Sequence, residues 1–212
     1  MKLIIARHGS TFEAGESPVM VGAKEDLALT AAGQEQAQSV GEALKHVPIR
    51  RAFTSQLKRT KVFAQIALGW RNIPTKVDER LSDIDYGPWG GLSEEQVATL
   101  GGQAELDAWN KQSVWPQSPG WSPSLQGLER NVKDFATELA KEYPNDTILA
   151  VSSNGVMRFF LKLIDDAFEQ AVTDGSFNVE TGNLCALEYQ NGQWHVLFWN
   201  KTPADINAKS FQ

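Results

Sequence analysis

The chain opens Met1-Lys2-Leu3-Ile4-Ile5-Ala6-Arg7-His8-Gly9-Ser10-Thr11, and the break between the two halves of this stretch decides the fold. Leu3 to Ala6 is a short, unbroken apolar run, the composition of a strand covered on both faces. It is too short for the core of a signal peptide. At Arg7 the run gives way to charged, small and hydroxyl residues, the composition of a loop leaving a buried strand. In open α/β sheets ligands bind beyond the carboxyl ends of strands, so this loop is the first place to look for chemistry.

Outward from that strand, helical and extended patterns alternate. Thr30 can cap a helix whose inner face is Ala37, Val40 and Leu44, ending near Val47-Pro48. A strand around Arg51 to Thr54 leads into a helix carrying Val62, Phe63, Ile66 and Ala67. Ser93-Glu94-Glu95-Gln96 has the form of a capping box. Trp109 to Pro123 lacks periodicity and reads as a long loop. Leu125 to Tyr143 is helical, Thr147 to Ser152 is a buried strand, and Val156, Phe159, Phe160, Leu163 and Ile164 form one face of the next helix. Asn183 to Gln190 and Gln193 to Trp199 flank Asn191-Gly192, a hairpin signal. The expected architecture is an α/β three-layer sandwich with a mostly parallel central sheet and an antiparallel hairpin near one edge.

The chain has 212 residues, enough for one domain with elaborations. Apolar residues make up 42% and charged residues 22%, which excludes disordered and fibrous classes. A formal net charge of −6 gives no basic field toward nucleic acid or anionic lipid, so an anionic ligand must be held by a local pocket. No run of about 20 apolar residues suggests a membrane span, and the default compartment is the cytoplasm. The single cysteine, Cys185, cannot form an intramolecular disulfide or a Cys-based zinc site. The three histidines, His8, His46 and His195, make no metal cage, and neither a metal nor a cofactor is expected. No interface pattern sets an oligomeric state.

Three strand ends could meet on one rim: Arg7 to Thr11, Thr54 to Thr60, and Ser152-Ser153-Asn154-Gly155. Together they supply two guanidiniums, an imidazole, hydroxyls, an amide and a helix N-terminus at Gly155, a donor set suited to a dianionic phosphoryl group. Alone, Arg-His-Gly occurs by chance and a helical Arg is usually solvated. The combination carries the reading.

At this point the chain resembles the histidine phosphatase superfamily, which includes phosphoglycerate mutases, over nearly its whole length. Arg7-His8-Gly9-Ser10-Thr11 resembles its signature, and Leu29-Thr30-Ala31-Ala32-Gly33-Gln34-Glu35-Gln36-Ala37 its "LTxxGxxQA" helix start. Thr54-Ser55-Gln56-Leu57-Lys58-Arg59-Thr60 resembles "TSxLxRT", and Leu81 to Gly91 "LxExxxGxWEG". The resemblance implies one domain spanning residues 1–212, with a variable, substrate-covering insertion around 93–124. It implies that His8 attacks phosphorus, that Arg7 and Arg59 bind the equatorial oxygens, and that water hydrolyses the phosphohistidine. It places Asp83, one methylene shorter than the family's usual Glu, as the proton donor to the leaving group. Ser10, Thr11, Asn154 and Gly155 join Arg7 and Arg59 as phosphate-binding residues. The chemistry agrees: a neutral imidazole attacks phosphorus, nearby guanidiniums disfavour its protonation, and they stabilise charge on the transferring group.

Three positions depart from that pattern. Asn154 stands where the family has a second histidine, a neutral donor for a charged one, a change worth on the order of tenfold in transition-state binding. Ala14 and Gly90 stand where the family carries Asn and Glu. His46 and His195 are read as structural or surface residues, and Asp85 and Tyr86 as shaping their segment. Trp109, Trp115 and Trp121 either line a lid over the leaving group or pack the insertion onto the domain. Three functional readings follow: a metal-independent phosphomonoesterase acting on a small phosphorylated metabolite, a phosphate-ligand binding protein without turnover, and a phosphoglycerate-type mutase.

Overall fold

Leu3, Ile4, Ile5 and Ala6 are completely buried because their strand, β1 (Lys2–Arg7), has a neighbour on each side. It runs parallel to β4 (Thr147–Ser152) and antiparallel to β5 (Leu184–Gln190). β4 runs parallel to β2 (Ile49–Thr54), and β2 to the short edge strand β3 (Thr75–Val77). β5 continues through Asn191-Gly192 into β6 (Gln193–Lys201), the expected hairpin. The six strands lie in the order β3-β2-β4-β1-β5-β6, a mixed sheet parallel at its centre. This computed structural model describes residues 1–69 and 71–211.

Successive strand residues face opposite sides, and the two cores follow that alternation. Leu3, Ile5, Ile148 and Ala150 pack on one side with α5 (Leu125–Glu142), through its Leu128, Val132, Phe135 and Leu139. Ile4, Ala6, Leu149 and Val151 pack on the other with α1 (Ala31–Leu44) and α2 (Lys58–Leu68). Each enclosed aliphatic side chain contributes about 1.5–3 kcal/mol. On α1, Thr30 caps the Gly33 N–H and Ala37, Val40 and Leu44 face inward, as their spacing predicts. On α2 the inward set is Phe63 and Ala67, whereas Val62 is 38% exposed.

Two segments differ from their sequence pattern. The stretch from Trp109 to Pro123 is not all loop: after α3 (Glu94–Thr99), opened by the Ser93/Gln96 capping box, comes α4 (Gln103–Gln112), whose last turn takes in Trp109 to Gln112. After β4 the chain forms only a four-residue α-turn, α6 (Asn154–Met157), and then tightens into a 3₁₀ helix over Arg158–Leu163. The tightening still buries Val156, Phe159 and Phe160. α7 (Ala167–Asp174) follows.

The register sets the level of the rim. Arg7 lies opposite Ser152, and Thr54 opposite Val151, so β1, β4 and β2 end together. Among the described residues, no helix is long and apolar enough to cross a membrane.

Candidate active site

Immediately past β1, the His8 N–H donates to the Ser152 carbonyl (3.1 Å), tying the imidazole to the end of β4. The chain then turns sharply because Gly9 and Gly33 meet backbone to backbone: a Cβ on Gly9 would stand 2.3 Å from the Gly33 oxygen. Thr30 N–H holds the Ser10 carbonyl at 3.0 Å across the same contact. Past β2, the hydroxyls of Ser55 and Thr60 bond at 2.8 Å, a turn that brings Arg59 inward on the first turn of α2. Asp83 is fixed by the buried side chains of Leu81 and Ile84, and the Ser152 hydroxyl donates to the Leu81 carbonyl at 2.8 Å.

These elements surround a cavity of about 340 Å³ at the carboxyl ends of β1, β2 and β4. Arg7, His8, Ser10 and Thr11 line it from the first loop, and Arg59, Asp83, Asn154 and Gly155 from the others. All eight residues singled out in the sequence therefore share one cavity. A larger groove of about 780 Å³, lined by Lys2 and Thr147, lies at the opposite end of the strands and holds none of them. Among the described residues, no group of three His, Cys, Asp or Glu side chains is placed to hold a metal ion.

His8 is held as a neutral imidazole. Its Nδ1 lies 2.8 Å from the Gly9 carbonyl, which can only accept, so Nδ1 carries the proton. Nε2 keeps its lone pair and accepts from Arg59 Nε at 3.2 Å. Burial, then the Arg59 charge, and to a smaller extent Arg7, push the imidazole down to about 3, against the opposing pull of the Gly9 carbonyl.

Arg59 is 1% exposed and heavily engaged. Besides His8 it donates to the carbonyls of Glu25 (2.8 Å) and Gly22 (2.7 Å) and to Asp83 Oδ2 (3.0 Å). It therefore fastens the 22–25 loop to the His8 imidazole and the Asp83 carboxylate at once. Asp83 Oδ1 accepts from the Ile84 N–H at 2.9 Å. Arg7 donates to the Val179 carbonyl while its Nε has no partner among the described residues, and burial lowers its pKa.

Asn154 lines the cavity, but its amide is partly committed. Oδ1 accepts from the Val179 N–H and Nδ2 donates to Asn178 Oδ1, both at 2.9 Å, leaving one N–H. Gly155 allows the Asp83 segment to approach: a Cβ there would stand 3.0 Å from Ile84 Cδ1 and 3.2 Å from Asp83 Oδ1. His46 and His195 are exposed and far from the cavity lining.

A third guanidinium, Arg158, lines the cavity and was not singled out by the sequence reading. The available signal was its position four residues after Asn154, inside the apolar run Val156 to Leu161. Trp115 and Trp121 are buried in the core cluster, at 9% and 5% exposure, in edge-to-face contact with each other. Trp109 packs against both and also lines the cavity.

The sequence pattern of the histidine phosphatase superfamily (branch 1) matches residues 3–202. Probable phosphoglycerate mutase GpmB of Salmonella arizonae is 25% identical over 210 residues, covering 98% of this chain and 94% of that protein. Among solved structures, the alpha-ribazole phosphatase of Shigella flexneri superposes with a TM-score of 0.79 at 24% identity, over 95% of this chain and 97% of that one. The phosphoserine phosphatase of Entamoeba histolytica gives 0.78 at 21% identity, over 95% and 97%. At those identities the two structures speak for the fold alone, whereas the superfamily match spans nearly the entire sequence. The chain belongs to the histidine phosphatase superfamily, branch 1.

Proposed function

We propose that the protein is a phosphomonoesterase that acts without a metal ion, through a phosphohistidine on His8, on a small phosphorylated metabolite. The observation that carries this reading is the state of His8: neutral, with its proton held at Nδ1 and the Nε2 lone pair beside two guanidiniums. Nε2 attacks phosphorus as the bond to the leaving oxygen breaks, and Asp83 gives that oxygen its proton. Water then attacks the phosphohistidine, Asp83 takes the proton back, and phosphate leaves. Arg7 and Arg59 hold the equatorial oxygens, with Ser10, Thr11, Asn154 and Gly155 completing the cradle. A dianionic group arriving at Arg59 takes over the donation that Asp83 now accepts, freeing the carboxylate to carry a proton. The names of the structural neighbours, an alpha-ribazole phosphatase and a phosphoserine phosphatase, agree in reaction type.

One observation favours a second reading, a phosphate-binding protein without turnover: the amide of Asn154, where the resemblance puts the family's second histidine, is partly occupied by Val179 and Asn178. Hydrolysis of an aryl phosphate in the presence of a chelator separates the two. The phosphatase reading predicts turnover unaffected by chelator and lowered at least about 10³-fold in His8→Ala. Binding of phosphate without hydrolysis of any phosphomonoester would select the second reading. Transfer between 2- and 3-phosphoglycerate at the rate of hydrolysis would select a mutase.

A further inference from the structure

Two consecutive residues, Asn178 and Val179, hold the Asn154 amide by both of its ends. The Val179 N–H donates to Asn154 Oδ1, and Asn154 Nδ2 donates to Asn178 Oδ1, each at 2.9 Å. Asn178 Oδ1 also accepts from Arg158 Nη2 at 3.0 Å. Arg158 is 3% exposed and fixed in place: Nη1 donates to the Trp109 carbonyl (3.3 Å) and Ser113 Oγ (3.1 Å), and the guanidinium lies 4.1 Å from the Trp109 ring centroid and 4.9 Å from that of Phe177. Asn178 does not line the site cavity. It stands behind Asn154 and Arg158, which do, and lines a separate groove of about 520 Å³.

The donors in this chain of contacts decide which way each amide points. A side-chain amide can turn over and exchange its oxygen for its NH2 at little steric cost, so its partners set its orientation. A guanidinium can only donate, so the atom of Asn178 that faces Arg158 is the oxygen. A backbone N–H can only donate, so the atom of Asn154 that faces Val179 is the oxygen as well. The NH2 of Asn154 then meets Asn178 Oδ1, and every donor has an acceptor. Turned over, Asn154 would set its NH2 against the Val179 N–H and its oxygen against Asn178 Oδ1, two mismatched pairs at once. The segment that supplies these partners is itself anchored. Phe177 is 1% exposed and its carbonyl accepts from Trp199 Nε1 (3.3 Å), while the Glu180 N–H donates to Asn200 Oδ1 (2.9 Å).

We propose that Asn178 is a positioning residue: with its oxygen pinned by Arg158, it keeps Asn154 turned so that the amide offers an N–H, and not its oxygen, to a bound phosphoryl group. This deepens the phosphomonoesterase reading and rests on its placement of Asn154 in the phosphate cradle. A neutral amide serves an anion only in that orientation, because a carbonyl lone pair in the same place repels it. Arg158 acts here through Asn178, from behind the amide. The Val179 carbonyl accepts from Arg7, so the same two residues that orient Asn154 also hold one of the guanidiniums of the cradle.

The test is a double-mutant cycle, read by kcat/KM for 4-nitrophenyl phosphate and by calorimetric binding of inorganic phosphate. Asn154→Ala and Asn178→Leu are each expected to lower both quantities by about five- to thirtyfold. The double variant is expected to fall no more than about twofold below the weaker single variant, since Asn178 works through Asn154. Leu keeps the branched shape of Asn without the acceptor, whereas Asn178→Asp keeps the acceptor and is expected to recover most of what Leu loses. Asn178→Ala carries the same cycle if Asn178→Leu fails to melt cooperatively. No hydrolysis by wild type, together with coupled losses in phosphate binding, overturns the phosphatase reading and supports the role of Asn178. Hydrolysis by wild type overturns the proposal, and leaves the phosphatase reading standing, if Asn154→Ala or Asn178→Leu is as active as wild type, if the Asn178 effect is undiminished in Asn154→Ala, or if Asp is no better than Leu.

Discussion

His8 shows how a few neighbours set a residue's chemistry. Its burial and the guanidiniums of Arg59 and Arg7 all disfavour the imidazolium, so the folded chain takes up this proton only at about pH 3, against 6.5 in the unfolded chain. Between those values the unfolded state binds more protons, so the native state loses stability as pH falls through this window. His8→Gln removes the titration. Relative to the variant, wild type should lose roughly 3 kcal/mol between pH 6.5 and pH 4, measured by urea denaturation at each pH; parallel curves would mean that the imidazole is not held neutral. Asp83 makes a separate prediction. Asp83→Asn should slow alkyl phosphates, whose alkoxide needs a proton, by at least about tenfold more than aryl phosphates, whose leaving group does not. Uniform slowing would reduce Asp83 to a brace for Arg59. That eight candidate residues would share one cavity was legible because each follows a buried strand or sits in an ordered motif. The place of Arg158 on that cavity was not, because it depends on Trp109, Ser113 and Asn178, from other parts of the chain.

At the scale of elements, the Gly9–Gly33 contact joins the loop that follows β1 to α1. A Cβ on Gly33 would stand 2.3 Å from the Ser10 oxygen, with backbone as the obstacle. Gly33→Ala is expected to cost about 1–3 kcal/mol in denaturant melts and to lower kcat/KM, since the loop or the helix must shift. Wild-type stability and activity in this variant would show that the contact does not position the loop. The elements that sequence revealed have local causes: the Thr30 cap, the Ser93/Gln96 capping box, the apolar run of β1 and the Asn191-Gly192 turn. Those it missed lack them. All three residues of β3 are exposed, so no burial pattern marks it as a strand. α7 follows Asp166, which has a positive φ of 62° and no side-chain capping bond. The apolar spacing from Val156 to Ile164 fits an α-helix, yet the chain tightens to 3₁₀ where Arg158 and the two phenylalanines after it are packed inward.

The whole molecule has a formal charge of −6, yet it concentrates two buried guanidiniums, Arg59 and Arg158, and the half-buried Arg7 on one cavity. The sheet makes that possible: three parallel strands end level, and the α/β layering was legible from their apolar runs. The way the tryptophans pack was not legible, because edge-to-face packing of Trp109, Trp115 and Trp121 leaves no periodic trace. The central claim is that phosphorus is transferred to His8. Protein mixed rapidly with labelled phosphomonoester and quenched in base should carry a label that survives alkali, is lost in acid and maps to the peptide containing His8, while His8→Ala carries none. Label on a different residue, or full turnover by His8→Ala, would contradict it.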